Sequence, residues 1–370
     1  MRQAFCLCRL VLIVTIRVAC LSPGSYLWRH PVLAQEKEST QTERSSGSAD
    51  AAVARATGAA LQANAASAVK ILLSVPSSAF VGEDIEWRSC MIDRFGPYAK
   101  PAVPAIDDPW IAKLARIYVA YWQRSLTQTG EQTQAEQELR NALAKLLGRP
   151  QSTKSDFDAL EKELTAEAQN HGFHPWFGIT APLRELMAWK KQTVEQRQVQ
   201  LPEGSYSVRV TLMDDFVVRG WGYYATCGRR STGGWATEEG IFAVVPAYKS
   251  LDDETFSVRF LAHETQHFAD KHTFGHLESW ELEYRAKLTE LALAFASQDS
   301  TLQRICENRS RENESSHAYA DFHVMRDMGQ RLKVADDDLC RSGGIRGQAI
   351  RDAAGAILVS DSEMRKQHQH

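Results

Sequence analysis

An α+β fold is the class this sequence predicts, and three observations carry it. Residues 106–198 read as a largely helical block. From Leu201 the texture changes to short apolar runs divided by Gly and Pro, the pattern of a small antiparallel sheet. Two helices are expected next, the first holding His263-Glu264-x-x-His267 and the second Glu283. With 370 residues, 24% charged and 44% hydrophobic, the chain can bury a sizeable core. A net charge of −3 without a concentrated basic stripe argues against nucleic acid as a partner.

At the N-terminus, Arg2 and Arg9 flank the start of Leu10-Val-Leu-Ile-Val-Thr-Ile16, an apolar run too short to span a bilayer comfortably. Together with the small-residue site Val32-Leu-Ala34, it makes residues 1–34 an expected signal peptide and the protein periplasmic or secreted. A second site, Val18-Ala-Cys20, keeps open a lipoprotein held to a membrane through Cys20, although Arg17 stands where Leu is usual. Residues 35–70 are Ser, Thr, Ala, Glu and Gln with almost no large apolar side chains, and predict a disordered spacer, with at most a transient helix around 51–68.

The folded chain is expected from Ile71, with 71–200 mostly helical. Trp110, Leu114, Ile117, Tyr118, Tyr121 and Trp122 form one amphipathic stripe; Leu139, Leu143, Leu146 and Leu147 form another. Leu160 and Leu164 mark a third helix ending near His171-Gly172, and Pro182 opens a fourth, from Leu183 to about Gln196. His171 and His174 lack helical spacing to the later His pair and read as structural. Residues 201–345 form the expected catalytic part. Ser207–Met213 and Phe216–Trp221 read as strands joined by Asp214-Asp215, with Tyr223–Thr226 continuing the second. A Gly-rich turn over 231–234 leads to a strand at 240–245, ended by Pro246. Ser250 and Asp253 suit the cap of the next helix. Gly234-Trp235 reads either as part of a sheet edge or as an ordinary hairpin turn.

That helix carries the chemistry. His263 and His267, one turn apart on one face, can grip one zinc ion, and Glu264 directly after the first His can take a proton from water. A hydrolytic site needs a third protein ligand and one open position. The spacing that would place Gly at 270 and His at 273 fails, because Asp270 and Thr273 stand there; His272 and His276 are wrongly spaced to replace them. The second helix, residues 278–296, offers Glu283 with Ala286 and Glu290 on one face, away from the core stripe Trp280, Tyr284, Leu288, Leu291 and Phe295. Glu283 is the expected third ligand. Asp270 reads as an outer partner of the site or as a solvated charge.

His263-Glu264-x-x-His267 followed by Glu283-x-x-Ala286 resembles the gluzincin class of zinc metallopeptidases, over about thirty residues and the strands before them. One departure is Lys287, where those branches often have Asp. The resemblance implies a zincin-like fold, a Zn2+ cofactor and hydrolysis of a peptide or protein substrate, with Glu264 as proton acceptor and the sheet edge pairing with an extended peptide. For the group that holds the oxyanion, His317 and Tyr319 are the downstream candidates, with packing the alternative for Tyr319. The other function class is an exported envelope or binding protein on a peptidase scaffold with structural zinc. Once a leader is removed, Cys90, Cys227, Cys306 and Cys340 remain. They allow three pairings, of which Cys306 with Cys340 is preferred, or four free thiols. Residues 346–370 are expected to be a C-terminal tail, with His368 and His370 at its end.

Overall fold

The computed structural model describes residues 46–128, 130–149, 156–313, 315–341 and 347–368. The expected signal peptide and both processing sites lie outside them. Helical structure begins well before Ile71. Helix α1 (Gly47–Leu61) is capped by Ser46, whose Oγ accepts from the Ala49 N–H, and α2 (Ala65–Leu73) is capped by Asn64 in the same manner. Ala49, Ala52, Val53, Ala56 and Ala60 of α1 and Ala65, Ala68, Val69 and Leu72 of α2 are buried. The spacer expected over 35–70 is therefore corrected from residue 47 onward. Small side chains let helices approach closely, so these faces pack without large apolar residues.

Helices α3 (Glu83–Phe95), α4 (Pro109–Thr127), α5 (Gln132–Leu146) and α6 (Phe157–Asn170) complete the N-terminal layer. The expected stripes meet in one core: Leu114, Tyr118, Tyr121 and Trp122 against Leu139, Leu143, Leu160 and Leu164. Asp108 caps α4, accepting from the Trp110 and Ile111 N–H groups, and its other oxygen lies 2.8 Å from His171 Nδ1. His171 also stacks on Trp110, and His174 stacks on Trp189, so both histidines are structural.

The fourth predicted helix is a strand. β1 (His174–Thr180), β2 (Leu183–Leu201) and β3 (Gly204–Arg219) form an antiparallel ribbon, with Pro182 in the turn between β1 and β2, after a cis peptide bond. Residues 186–189 are apolar and buried on both faces and fit either period, whereas from Glu195 to Leu201 exposure alternates as a half-buried strand requires. Pairing along almost the whole of β3 overrides the helix preference of its Gln, Glu and Lys residues. β3 runs straight through Asp214-Asp215, both solvent-exposed, instead of turning there. The stretch read as its continuation is helix α7 (Gly220–Ala225), started where Gly220 takes φ +87° and the Trp221 N–H donates to the buried Glu185 carboxylate. The hairpin of β2 and β3 spans the expected boundary at residue 200, so the two parts expected on either side of it share one hairpin.

β4 (Gly234–Thr237) and β5 (Gly240–Val244) complete a sheet of order β1-β2-β3-β5-β4. It is mixed rather than purely antiparallel, since β3 and β5 run parallel. Gly234-Trp235 lies in its edge strand. Gly234 has φ +148°, and a Cβ there would collide with the Phe242 carbonyl and the Phe260 ring, which fixes glycine at this place.

Asp253, not Ser250, caps the next helical run: α8 (Glu254–Phe256), a π-turn (Ser257–Ala262) and α9 (His263–Phe274). Then come α10 (Ser279–Leu293), α11 (Gln298–Asn308), α12 (Ser316–Leu332), α13 (Asp336–Leu339) and α14 (Gly347–His368). The expected tail is thus a helix from residue 347 to 368, whose Ile350, Ala353, Ala354 and Leu358 join a core with α10 and α12. His370 lies outside the described residues. Among the described residues, no helix is long and apolar enough to cross a membrane.

Two disulfides staple the layers: Cys90–Cys227 joins α3 to the turn after α7, and Cys306–Cys340 joins α11 to the residue following α13. Cys90–Cys227 closes a loop with sequence separation 137. By loop entropy, Cys90→Ser with Cys227→Ser should cost about 5 kcal/mol of stability, read as a lower denaturant midpoint. Unchanged unfolding in the double variant contradicts the bond's contribution.

Candidate metal centre

Two helices build the site. α9 presents His263 and His267 at i and i+4, with Glu264 between them; α10 packs against α9 and presents Glu283. Ala286, one turn after Glu283, is fully buried and lets the helices come close. Every residue of α10 from Tyr284 to Leu291 is buried, so this helix is enclosed on all sides and its charges must be paired. Arg285 bonds Glu203, Asp270 and Asp361; Lys287 pairs with Asp321 at 2.8 Å; Glu290 pairs with Arg304 and His263. The expected core stripe holds at Tyr284, Leu288 and Leu291, while Phe295 is exposed beneath the Arg351 guanidinium.

His263 Nε2 and His267 Nε2 face each other at 3.0 Å, and the Glu283 oxygens lie 3.6 and 3.4 Å from them. In a tetrahedral site with bonds of roughly 2.1 Å, ligand atoms sit roughly 3.4 Å apart, which this triangle matches. His263, His267 and Glu283 form a group that could hold a metal ion. Two imidazoles and one carboxylate are a donor set for a transition metal rather than for calcium or magnesium.

The surroundings call for positive charge at the same point. Burial lowers the basicity of His263, but its bond to Glu290 and the charges of Glu290, Glu283 and Glu264 outweigh this and raise its pKa. Burial pushes the Glu283 carboxyl up, yet His267, His317 and the His263 charge hold it well below the usual carboxylate range. Each imidazole already stands among carboxylates that favour a cation between them.

Glu290 is the residue that sequence reasoning passed over. It stood on the Glu283 face without a role, and it bonds His263 Nδ1 at 2.7 Å, fixing the ring so that Nε2 points at Glu283. Its other oxygen pairs with Arg304. The carboxylate on His263 thus comes one turn after Lys287. Asp270, the earlier candidate for an outer partner, instead joins Gln266 and Arg285; Gln266 in turn accepts from Thr289, which locks α9 to α10. Glu290→Gln removes a charged acceptor from His263, so metal affinity should fall roughly 10–100-fold in a competition titration. Unaltered affinity assigns Glu290 to the Arg304 pair alone.

Glu264 is half-buried, and its charge is felt by His263 and by Tyr248, whose OH donates to the Gly233 carbonyl beside β4. Of the downstream candidates, His317 stands exposed at the start of α12 with Nδ1 2.8 Å from Glu283 Oε2. Tyr319 packs edge-on against Trp280 and His323, the second of its two readings. Comparison with protein-family models, with curated proteins and with solved structures gave no match.

Proposed function

We propose that the chain is an exported zinc-dependent peptidase of zincin-like build. The observation that carries this is the His263, His267 and Glu283 triangle with Glu264 on the same helix turn. Zinc bound there supplies Lewis acidity, polarising a carbonyl and making water easier to deprotonate. Glu264 takes the proton as water oxygen bonds to the peptide carbon, and returns it to the amine nitrogen as the C–N bond breaks. His317, exposed beside Glu283, donates toward the carbonyl oxygen as that atom gains charge. β4, an edge strand packed beside α9, offers its free side to an extended substrate. The two disulfides support an oxidising compartment, periplasmic or extracellular.

His317 also supports a second reading, an exported binding or envelope protein with structural zinc. Its closeness to Glu283 would let it close the coordination shell as a fourth ligand, as structural sites do. Metal analysis with cleavage of a broad peptide library separates the two. The peptidase reading expects one zinc per chain and cleavage abolished by chelation and restored by zinc. Zinc bound without any cleavage transfers the weight to the second reading.

A further inference from the structure

A cavity of about 500 Å³ lies in the N-terminal layer, between the last turns of α3 and the loop that follows. None of its lining residues belongs to α9 or α10. Gly96 and Pro97 end α3, and the Ala99 N–H donates to the Gly96 carbonyl, closing a turn that carries Tyr98 and Lys100 to the cavity wall. Ile92, Pro97 and Ala102 supply apolar surface beside Tyr98, which is 95% exposed. The charged side chains on the wall are Arg94, Lys100 and Asp93. Among the described residues none of these three forms an ion pair, so the wall holds two cations against one exposed carboxylate. Arg94 is half-buried, and its guanidinium meets only neutral groups. Nη1 donates to the Tyr224 carbonyl at 2.6 Å, and the guanidinium carbon lies over the Tyr224 ring, 4.7 Å from its centroid. Nε is buried without a partner and out of a ligand's reach. Nη2 makes no hydrogen bond either, but unlike Nε it keeps solvent exposure, and Arg94 lines the cavity. Burial lowers the pKa of this guanidinium, and Tyr224 and Tyr223 act against that shift.

A guanidinium taken partly out of water without a carboxylate is an incomplete pair. We propose that this cavity binds a small organic monocarboxylate with an aromatic body. Its charge sits on the Nη1–Nη2 edge of Arg94 with Lys100 beside it, and its ring lies against Tyr98, Pro97 and Ile92. That edge offers one N–H from each nitrogen to the two carboxylate oxygens, a fork that distinguishes an acid from its amide and that lysine cannot reproduce. With Asp93 on the wall the excess is a single positive charge, which suits a monoanion better than a dianion. The inference does not depend on the peptidase reading.

The test titrates the zinc-loaded full chain, labelled with fluorotyrosine, and follows the fluorine signal of Tyr98, assigned by its loss in Tyr98→Phe. This local readout is blind to carboxylates that bind at the metal. The probes are hydrocinnamate, its amide hydrocinnamide, propionate and inorganic phosphate. Hydrocinnamate should move the Tyr98 signal with a midpoint about tenfold lower than that of the amide, because only the acid makes charge-assisted bonds. Propionate should need roughly tenfold more than hydrocinnamate, since it lacks the ring. Phosphate should leave the signal in place. Arg94→Gln and Lys100→Glu should each raise the hydrocinnamate midpoint about tenfold, and Arg94→Lys should not restore it. Melting temperature shows that each variant is folded. If Arg94→Gln unfolds through its bond to Tyr224, Lys100→Glu decides, because Lys100 is exposed and holds no partner among the described residues. A Tyr98 signal that no probe moves overturns the proposal, as do equal midpoints for acid and amide, or a midpoint unaltered in Lys100→Glu. A response to phosphate equal to that to hydrocinnamate makes the cavity a site for inorganic anions and overturns the assignment of an aromatic acid.

Discussion

Glu264→Gln protein should bind about one zinc per chain and cleave peptides about a hundred to ten thousand times more slowly than wild type. The substitution keeps the size and polarity of the side chain and removes only its capacity to accept a proton. Glu264 is outside the His263, His267 and Glu283 group, so the metal should stay. It is also absent from the buried pairs of α10, so the fold should not suffer. Single-turnover cleavage measured beside zinc content separates the roles. Equal rates in both proteins sink the general-base assignment, and loss of zinc would make Glu264 a ligand.

What could be read from the sequence was whatever local spacing determines. The i and i+4 placement of His263 and His267 needs only a helix, and the apolar stripe around Tyr284 and Leu288 puts Glu283 and Glu290 on another face of the next one. The stripes of α4 and α5, the strand ended by Pro246 and the pairing of Cys306 with Cys340 are legible for the same reason. What depended on distant partners was not. Leu186–Trp189 is apolar on both faces, and only pairing with β1, joined at Met187–Trp189 by β3, makes Leu183–Trp189 a strand. Ala49, Ala56 and Ala60 look too small to fold, because composition weighs area and not close approach.

The site shows the same division. Glu290 becomes the partner of His263 only because α10 is enclosed on every side, and part of that enclosure is α14. α14 has an apolar spacing of its own, at Ile350, Ala353, Ala354 and Leu358, but it followed a weakly patterned stretch and was expected to fray. The pairing of Arg285 with Asp361 of α14 explains how an arginine can stand in the middle of a buried helix.

A graded series on α10 should follow distance from the metal. Glu283→Gln is expected to lower zinc affinity by more than the roughly 10–100-fold of an outer partner, because it replaces a charged donor with a neutral one. Glu290→Gln should fall within that range, since it acts only through the orientation and basicity of His263. Glu281→Gln should leave affinity unchanged: Glu281 accepts from the Glu278 N–H in the capping box of α10 and pairs with Arg365 of α14. Its loss belongs to stability, at about 1 kcal/mol. His317→Ala adds a fourth point, because the peptidase reading keeps zinc and loses rate, whereas a structural fourth ligand loses zinc. Competition against a chromogenic chelator gives all four affinities on one scale. If Glu281→Gln proves the most damaging of the three carboxylate changes, Glu283 is not the ligand and the metal is not held by the His263, His267 and Glu283 triangle.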